Sequence, residues 1–213
     1  MANLLHKKDN MYNKLSNLVL GFHGCDKSVR DAVVNGEKLV KSINSYDWLG
    51  NGFYFWENNE ERALQWAEHL TSNPKSKIAN PSVLGAVIDL GNCLDLMNSS
   101  SVTTLQLGYD FLKSSYEKDN TSMPVNKNIG SNTDLLLRPL DCAVIEKIHS
   151  ITQNPEYALE PYDSVRGLFI EGNEVYPGSG FREKTHVQIC VVNPNCIKGY
   201  FIPREVDGHY RVP

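Results

Sequence analysis

The segment YDWLGNGFYFWENNEERALQWAEH, residues 46–69, changes its hydrophobic pattern midway and so limits the folds open to this chain. After two glycines, the aromatic run FYFW is typical of a short strand that follows a turn. Apolar residues then recur at the i, i+3, i+4 and i+7 positions of a helix: Ala63, Trp66, Ala67 and Leu70. Asn58, with Glu61 three residues later, is expected to cap that helix. Strand and helix therefore follow each other directly.

The rest of the chain also mixes the two kinds of element. Strand patterns are carried by NLVLGFH, SVLGAVIDL, VRGLFIEG and THVQICVV. Helical spacing runs from Val102 to Tyr116 and again after Pro139. Because strands and helices do not alternate regularly, the pattern predicts an α+β domain rather than a doubly wound sheet.

The chain of 213 residues has no internal repeat and no long low-complexity linker. We therefore expect one domain over residues 1–213, with residues 1–16 as an N-terminal extension. Residues 117–133, EKDNTSMPVNKNIGSNT, are rich in turn formers and are predicted to form an exposed loop.

Composition indicates where in the cell the protein is expected to act, but says little about its chemistry. No run approaches the roughly 18 apolar residues of a membrane span, and the start of the chain is too polar for a secretory signal, so a cytoplasmic protein without membrane contact is expected. The five scattered cysteines lack a C-x-x-C pair and are expected to be reduced, with no metal site. A net charge of −4 gives no general attraction to nucleic acid, although a local basic strip could still bind it.

Alternation along the predicted FYFW strand separates its aromatic residues. Phe53 and Phe55 point to one side, where packing is expected, and Gly52, Tyr54 and Trp56 point to the other. A glycine beside a tyrosine on one face leaves a slot that suits a flat ring. Core packing remains the alternative interpretation of these aromatics.

Two further strands carry polar side chains of types that can bind a ligand or take part in catalysis. His23 ends the first strand and is followed by Gly24, whose missing side chain lets a ligand approach the backbone. In THVQICVV, His186 and Gln188 share one face at a spacing of about 6.6 Å, and buried polar groups at such positions need hydrogen-bond partners. A solvated polar face is the alternative for this second pair.

Taken in order, H-G, then G-x-G-x-Y-F with a helix behind it, then a polar residue on a late strand, the chain resembles the diphtheria-toxin and poly(ADP-ribose) polymerase branch of the ADP-ribosyltransferases. The motifs are His23 with Gly24, and GNGFYF with Tyr54 in the tyrosine place of the family's His-Tyr-Glu triad. The resemblance implies a split mixed sheet, in which two small sheets flanked by helices form a cleft for NAD.

The resemblance also implies a role for each matched residue. His23 would bond the adenosine-side ribose, the backbone of Gly24 would hold the nicotinamide carboxamide, and Tyr54, beside Gly52, would stack on the nicotinamide ring. From residue type alone, Arg166 and Arg182 are candidates to meet the NAD pyrophosphate as bidentate donors, and an ordinary surface position is the alternative for each. Because positive charge develops on the ribose as nicotinamide leaves, fixing the ring and placing acceptors near the sugar would favour the reaction.

The third triad position departs from the family, since Gln188 stands where a catalytic glutamate is usual. A glutamine can accept a hydrogen bond from a ribose hydroxyl but carries no charge, which points to mono-ADP-ribosylation and slow turnover. Glu183, in the turn before the strand, is the candidate to replace the missing carboxylate. His186, two residues before Gln188, occupies the place where relatives contact the acceptor.

The expected function is therefore transfer of ADP-ribose from NAD to a protein or nucleic acid inside the cell. Compact bacterial members of this superfamily often act as toxins in toxin–antitoxin or phage-defence systems, so an antitoxin partner is expected. A catalytically inactive module that binds NAD or ADP-ribose and an NAD glycohydrolase are the alternatives. A zinc site, or a hydrolase built from Cys25 and His186, has weaker support because neither has a local sequence signature.

Overall fold

The computed structural model describes residues 18–128 and 134–212. Its helices are α1 (Lys27–Val34), α2 (Glu60–Thr71), α3 (Ser99–Lys118) and α4 (Pro139–Thr152). Its strands are β1 (Leu18–Asp26), β2 (Phe53–Glu57), β3 (Pro81–Asp89), β4 (Cys93–Asp95), β5 (Ser164–Phe169), β6 (His186–Val191) and β7 (Ile197–Phe201). The predicted α+β class is confirmed. The predicted extension, residues 1–16, lies outside the described residues, as do residues 129–133 of the predicted loop.

The described strands form one mixed sheet in the order β4-β5-β6-β2-β1-β3-β7. Only β4 and β5 run parallel, and every other neighbouring pair of this sheet is antiparallel. The joint between β1 and β2 is short, with Gly21 opposite Glu57 and Phe22 opposite Trp56. By contrast, β1 pairs with β3 along its whole length. The sheet is thus continuous but narrowest at its middle.

Two helical layers cover the sheet. On one face, α2 packs over β1, β2 and β3 around Trp56 and Ala63, while α3 and α4 pack over β4, β5 and β6 around Leu94 and Ile145. On the other face, Val33 of α1 joins a core cluster that includes the fully buried Phe55. We call these the α2 face and the α1 face.

Local sequence explains most of the element boundaries. Asp26 caps α1 by accepting a hydrogen bond from the Ser28 amide, and Gly36 follows the helix with a φ of 104°. Pro139 begins α4, where its missing amide hydrogen costs no helical bond. The cap predicted for α2 is wrong by one residue: Asn59 accepts from the Arg62 amide, because Asn58 has a φ of 48° and turns the chain.

The polar segment after α3 is held in part by hydrogen bonds to the start of α4. Asn126 accepts hydrogen bonds from the backbone amides of Leu140 and Asp141, at the start of α4. Lys127 and Leu137 form an isolated antiparallel bridge. Within its described part, the predicted loop is therefore exposed along residues 119–122 and then returns to the body of the protein. No described helix is long and apolar enough to cross a membrane.

Candidate functional site

Beyond Phe22, strands β1 and β2 separate, and His23 lies in the opening. If pairing continued, Gly24 would face Tyr54 in the ladder. Instead, His23 Nδ1 donates a hydrogen bond to the Tyr54 carbonyl oxygen at 2.9 Å. The imidazole thus takes the acceptor that a continuous ladder would give to Gly24. We call this opening the β1–β2 gap.

The backbone of Gly24 points into this gap. Upstream, the Leu20 carbonyl accepts from the Asn58 amide at the end of β2, and downstream the Lys27 amide donates to the Asn80 carbonyl beside β3. Because backbone groups in an antiparallel strand alternate between neighbours, Gly24 shares the direction of Leu20. Its N–H and C=O are directed toward β2, where the ladder has already ended.

A side chain at Gly24 would meet α2. A Cβ built there collides with the Ala63 carbonyl oxygen and lies 3.2 Å from Trp66 Cε3. The glycine is therefore required for close packing of α2 on β1, independently of any ligand.

His23 is held neutral by its surroundings. Desolvation lowers its pKa below 6.5, and the hydrogen bond to the Tyr54 carbonyl only partly offsets this effect. Since Nδ1 donates to a carbonyl, the neutral ring carries its lone pair on Nε2. The ring also makes an edge contact with Phe55 at 5.9 Å, which places it on the α1 face.

Tyr54 supports the turn before its own strand. Its hydroxyl donates to the Gly50 carbonyl at 2.7 Å and accepts from the Leu49 amide at 3.0 Å. The ring packs against the cluster of α3, α4 and Leu49 and stays partly exposed. Burial raises the pKa of its phenol far above the usual value, so the hydroxyl keeps its proton.

The slot predicted beside Gly52 is filled by the protein itself. Tyr54 stands opposite Cys190 in the ladder, and a Cβ built at Gly52 collides with Cys190 Sγ. Gly52 is itself buried. Its missing side chain is therefore used by packing, and any ring that stacks on Tyr54 must use another part of its surface.

Gln188 lies on the α2 face, opposite Trp56 of β2 and Gly167 of β5. Its side-chain oxygen accepts a hydrogen bond from Trp48 Nε1 at 2.7 Å. His186 is buried on the same face, where its ring stacks on Phe169 at 5.4 Å. Burial lowers the His186 pKa, and its Nδ1 faces the Lys184 carbonyl.

The structure therefore divides the predicted site residues between two faces. Tyr54, His186 and Gln188 lie on the α2 face, and His23 lies on the α1 face. Of these residues, His23 and Tyr54 meet at the β1–β2 gap, where His23 Nδ1 donates to the Tyr54 carbonyl oxygen. The solvated alternative for His186 is excluded, because the residue is only 5% exposed.

Glu183 and Arg166 lie apart from this gap. Glu183 is exposed in the loop between β5 and β6 and accepts from Asn173 Nδ2 at 3.2 Å. Arg166, on the α1 face, donates to both carboxylate oxygens of Glu57 and to Asp95. The hydrogen bond to Glu57 raises the Arg166 pKa. Because its charge is already balanced by two carboxylates, Arg166 is poorly suited to bind a pyrophosphate.

The cysteines do not form a reactive centre in the described residues. Burial raises the pKa of the Cys25 thiol to about 11, which keeps it protonated at neutral pH. Cys25 belongs to the core on the α1 face, whereas His186 lies on the α2 face, so the Cys25–His186 hydrolase is excluded. No described group of three His, Cys, Asp or Glu side chains could hold a metal ion.

No family model, no curated protein and no solved structure matches this chain.

Sequence patterns missed the aromatic and charged residues around Gln188. Trp48 precedes the glycines of GNGFYF, and Arg138 stacks over both Trp48 and Phe169 with its guanidinium 5.3 and 4.3 Å from the ring centres. Arg62 of α2 pairs with Glu171 at 2.8 Å. A bulky tryptophan within a turn rich in glycine and polar residues, DWLGNG, was the available signal for this cluster.

Proposed function

We propose that this protein is an NAD-dependent mono-ADP-ribosyltransferase that transfers ADP-ribose from NAD to a protein or nucleic-acid acceptor. One observation carries the proposal: β1 and β2 separate beside His23, and the Gly24 peptide is directed into the opening. A peptide N–H with its neighbouring C=O suits a primary carboxamide, which needs one donor and one acceptor. Nicotinamide carries such a group.

His23 supports the proposal through its fixed tautomer. Its Nδ1 is used by the Tyr54 carbonyl, so the lone pair on Nε2 can accept a hydrogen bond from a ribose hydroxyl. A neutral imidazole is favoured by its lowered pKa. In this proposal the gap corresponds to the cleft of a split sheet, and the single sheet is divided functionally at its narrowest joint.

Tyr54 has two roles in the proposed site. Its hydroxyl fixes the turn at Leu49 and Gly50, and the part of its ring that stays exposed would contact nicotinamide. Since Gly52 offers no open slot, the nicotinamide would approach from the gap rather than from the Cys190 side.

The proposed reaction would proceed with the amide of Gln188 in place of a carboxylate. As the bond between nicotinamide and ribose breaks, positive charge develops on the sugar, and an amide stabilises this charge less than a carboxylate does. We therefore propose slow, single transfer rather than chain formation. Glu183, exposed in the β5–β6 loop, remains the candidate carboxylate only if that loop closes over bound NAD.

The resemblance further suggests a cytoplasmic toxin of a toxin–antitoxin or phage-defence system, restrained by an antitoxin protein. Induced expression should then arrest growth of a bacterial host, and His23→Ala should relieve the arrest at an equal protein level. Equal arrest by both forms would argue against a toxic activity that depends on the gap.

The biochemical test is incubation of purified protein with NAD labelled on the adenosine side, in the presence of cell extract. Transferred label on protein or RNA is expected, and mass spectrometry should locate an added ADP-ribose. Free ADP-ribose without transfer would identify an NAD glycohydrolase instead. Binding of NAD without cleavage would identify an inactive binding module, and absence of binding would refute the proposal.

Tyr54→Phe is unsuitable as the inactive control, because the change also releases the turn at Leu49 and Gly50. His23→Ala is the better choice, since it removes both the acceptor on Nε2 and the bond to Tyr54 while leaving that turn intact. Loss of label with His23→Ala in a folded protein would place the activity at the gap.

A further inference from the structure

The Gln188 carboxamide has a fixed orientation. An indole N–H can only donate a hydrogen bond, so the atom of Gln188 that lies 2.7 Å from Trp48 Nε1 must be its oxygen. The amide nitrogen therefore points away from Trp48. Among the described residues, no group accepts a hydrogen bond from this nitrogen, which is not fully buried.

The Trp48 ring that sets this orientation is itself held on three sides. It lies over Gly167 of β5, where a Cβ would come within 2.8 Å of Trp48 Cη2. Phe169 makes an edge contact with the ring at 5.0 Å, and the Arg138 guanidinium lies over it. Gly167 and Gln188 are opposite each other in the ladder, so the glycine lets the indole reach Gln188.

We propose that Trp48 is a positioning residue, which locks Gln188 so that its NH2 group faces the ligand. This chain would then present a hydrogen-bond donor where a carboxylate would present an acceptor. The ligand atom that meets Gln188 must be an acceptor, such as an ether, carbonyl or hydroxyl oxygen of a sugar or of the acceptor molecule. This inference rests on the proposed function for its kinetic test.

A purely structural role for Trp48 is the competing explanation, because the ring also packs on Gly167 and Phe169. A double-mutant cycle separates the two roles. Trp48→Phe removes the donor and keeps an aromatic ring in place. Gln188→Glu replaces the amide by a carboxylate, whose two oxygens are equivalent and have no orientation to lose.

In the Gln188 protein, Trp48→Phe should lower kcat for NAD cleavage by roughly fivefold, with KM changed by less than about twofold, as expected for loss of one oriented neutral hydrogen bond. In the Gln188→Glu background, the same substitution should lower kcat by less than about twofold. An equal loss in both backgrounds would show that Trp48 acts through packing and would overturn the proposal.

A measurement that does not depend on NAD completes the test. In a nitrogen-15 labelled sample, the Trp48 indole N–H, assigned through Trp48→Phe, should exchange slowly with water and should exchange faster in Gln188→Leu. The indole resonances of Trp56 and Trp66 provide internal references. Unchanged exchange at Trp48 would overturn the orientation. If the protein does not cleave NAD but exchange responds as expected, the proposed function fails while the locked amide stands.

Discussion

His23 Nδ1 and the Tyr54 carbonyl oxygen are joined by a 2.9 Å hydrogen bond that replaces a backbone pairing of the central sheet. Because Nδ1 must donate to this carbonyl, the tautomer of His23 is fixed at the point where β1 and β2 separate. His23→Ala should therefore lower the free energy of unfolding by about 1–2 kcal/mol, since it removes a hydrogen bond and leaves space between the strands.

The same substitution should abolish NAD cleavage by the folded protein, measured as release of nicotinamide. Urea unfolding at neutral pH gives the stability effect. His69→Ala is a suitable control for handling, because His69 is exposed near the end of α2. Retained NAD cleavage in folded His23→Ala would contradict the assignment of His23.

Gly24→Ala should destabilise the protein by about 3 kcal/mol, because the new Cβ meets the rigid Ala63 carbonyl rather than a movable side chain. Gly199→Ala in β7 is the matched control. Apart from its two chain neighbours, no described residue has an atom within 4 Å of a Cβ built at Gly199. That substitution should stabilise the strand by about 0.5 kcal/mol. Equal unfolding midpoints in urea would contradict the proposed packing of α2 on β1.

Tyr54→Phe should cost about 1–3 kcal/mol, because it leaves the Leu49 amide and the Gly50 carbonyl without their hydroxyl partner. Tyr210→Phe should change stability by less than about 0.5 kcal/mol, since Tyr210 is 76% exposed. Thermal unfolding of both variants provides the measurement. A neutral effect at Tyr54 would mean that the turn is held without its hydroxyl.

Arg166→Met should lower the free energy of unfolding by about 3 kcal/mol, because Glu57 and Asp95 would keep their charges without a cation. Lys113→Met breaks an exposed pair with Glu117 on α3 and should cost less than about 0.5 kcal/mol. Since the guanidinium N–H groups of Arg166 already donate to Glu57 and Asp95, the KM for NAD should stay the same in the folded variant. A large rise in KM would instead support Arg166 as a pyrophosphate ligand.

Acid should destabilise the protein in the range below pH 6.5, because burial lowers the folded-state pKa of His23, His149 and His186 from 6.5. Below pH 6.5 these histidines are protonated in the unfolded chain, whereas the buried rings of the folded protein are still neutral. Their contribution to the free energy of unfolding is therefore fully present above pH 6.5 and decreases as pH falls toward the folded-state pKa values. The slope should reach about 1.4 kcal/mol per pH unit for each histidine.

His149 allows this pH dependence to be assigned. Both of its ring nitrogens are buried without a hydrogen-bond partner among the described residues. His149→Leu should therefore reduce the slope of unfolding free energy against pH between about pH 7 and about pH 5. An unchanged slope would show that His149 does not contribute to the acid response.

Hydrophobic periodicity was sufficient to predict α2, α3, α4 and five of the seven described strands within a few residues. It could not identify β4, which has three residues, or its parallel pairing with β5, because short edge strands have no measurable period. Alternation along β2 placed Phe55 in the core correctly. Alternation also placed Gly52 on the correct side of the strand. It could not predict that the Cys190 thiol fills the space beside Gly52, because the register between two strands is not visible in the sequence of one.

The candidate site was harder to predict for the same reason. The types of His23 and Gly24 suggested a site, but the separation of β1 from β2 depends on tertiary structure. The orientation of Gln188 depends on Trp48, which lies 140 residues away along the chain. Contacts at such separation leave no periodic trace in the sequence, so only the folded arrangement discloses them.

The position of β6 in the sheet also has a consequence for how the protein is made. Its neighbours β5 and β2 are both synthesised before it, yet β6 separates them in the finished sheet. A nascent chain that has not reached His186 can therefore form the sheet only as two separate blocks, β4 with β5 and β2 with β1 and β3, each with a bare strand edge. The Trp48–Gln188 bond and the pairing of β6 with β2 and β5 both require β6, so synthesis itself delays completion of the candidate site. Ribosome-stalled chains that end before β6 should accordingly be cleaved readily by protease, and resistance of such chains would show that the blocks fold alone.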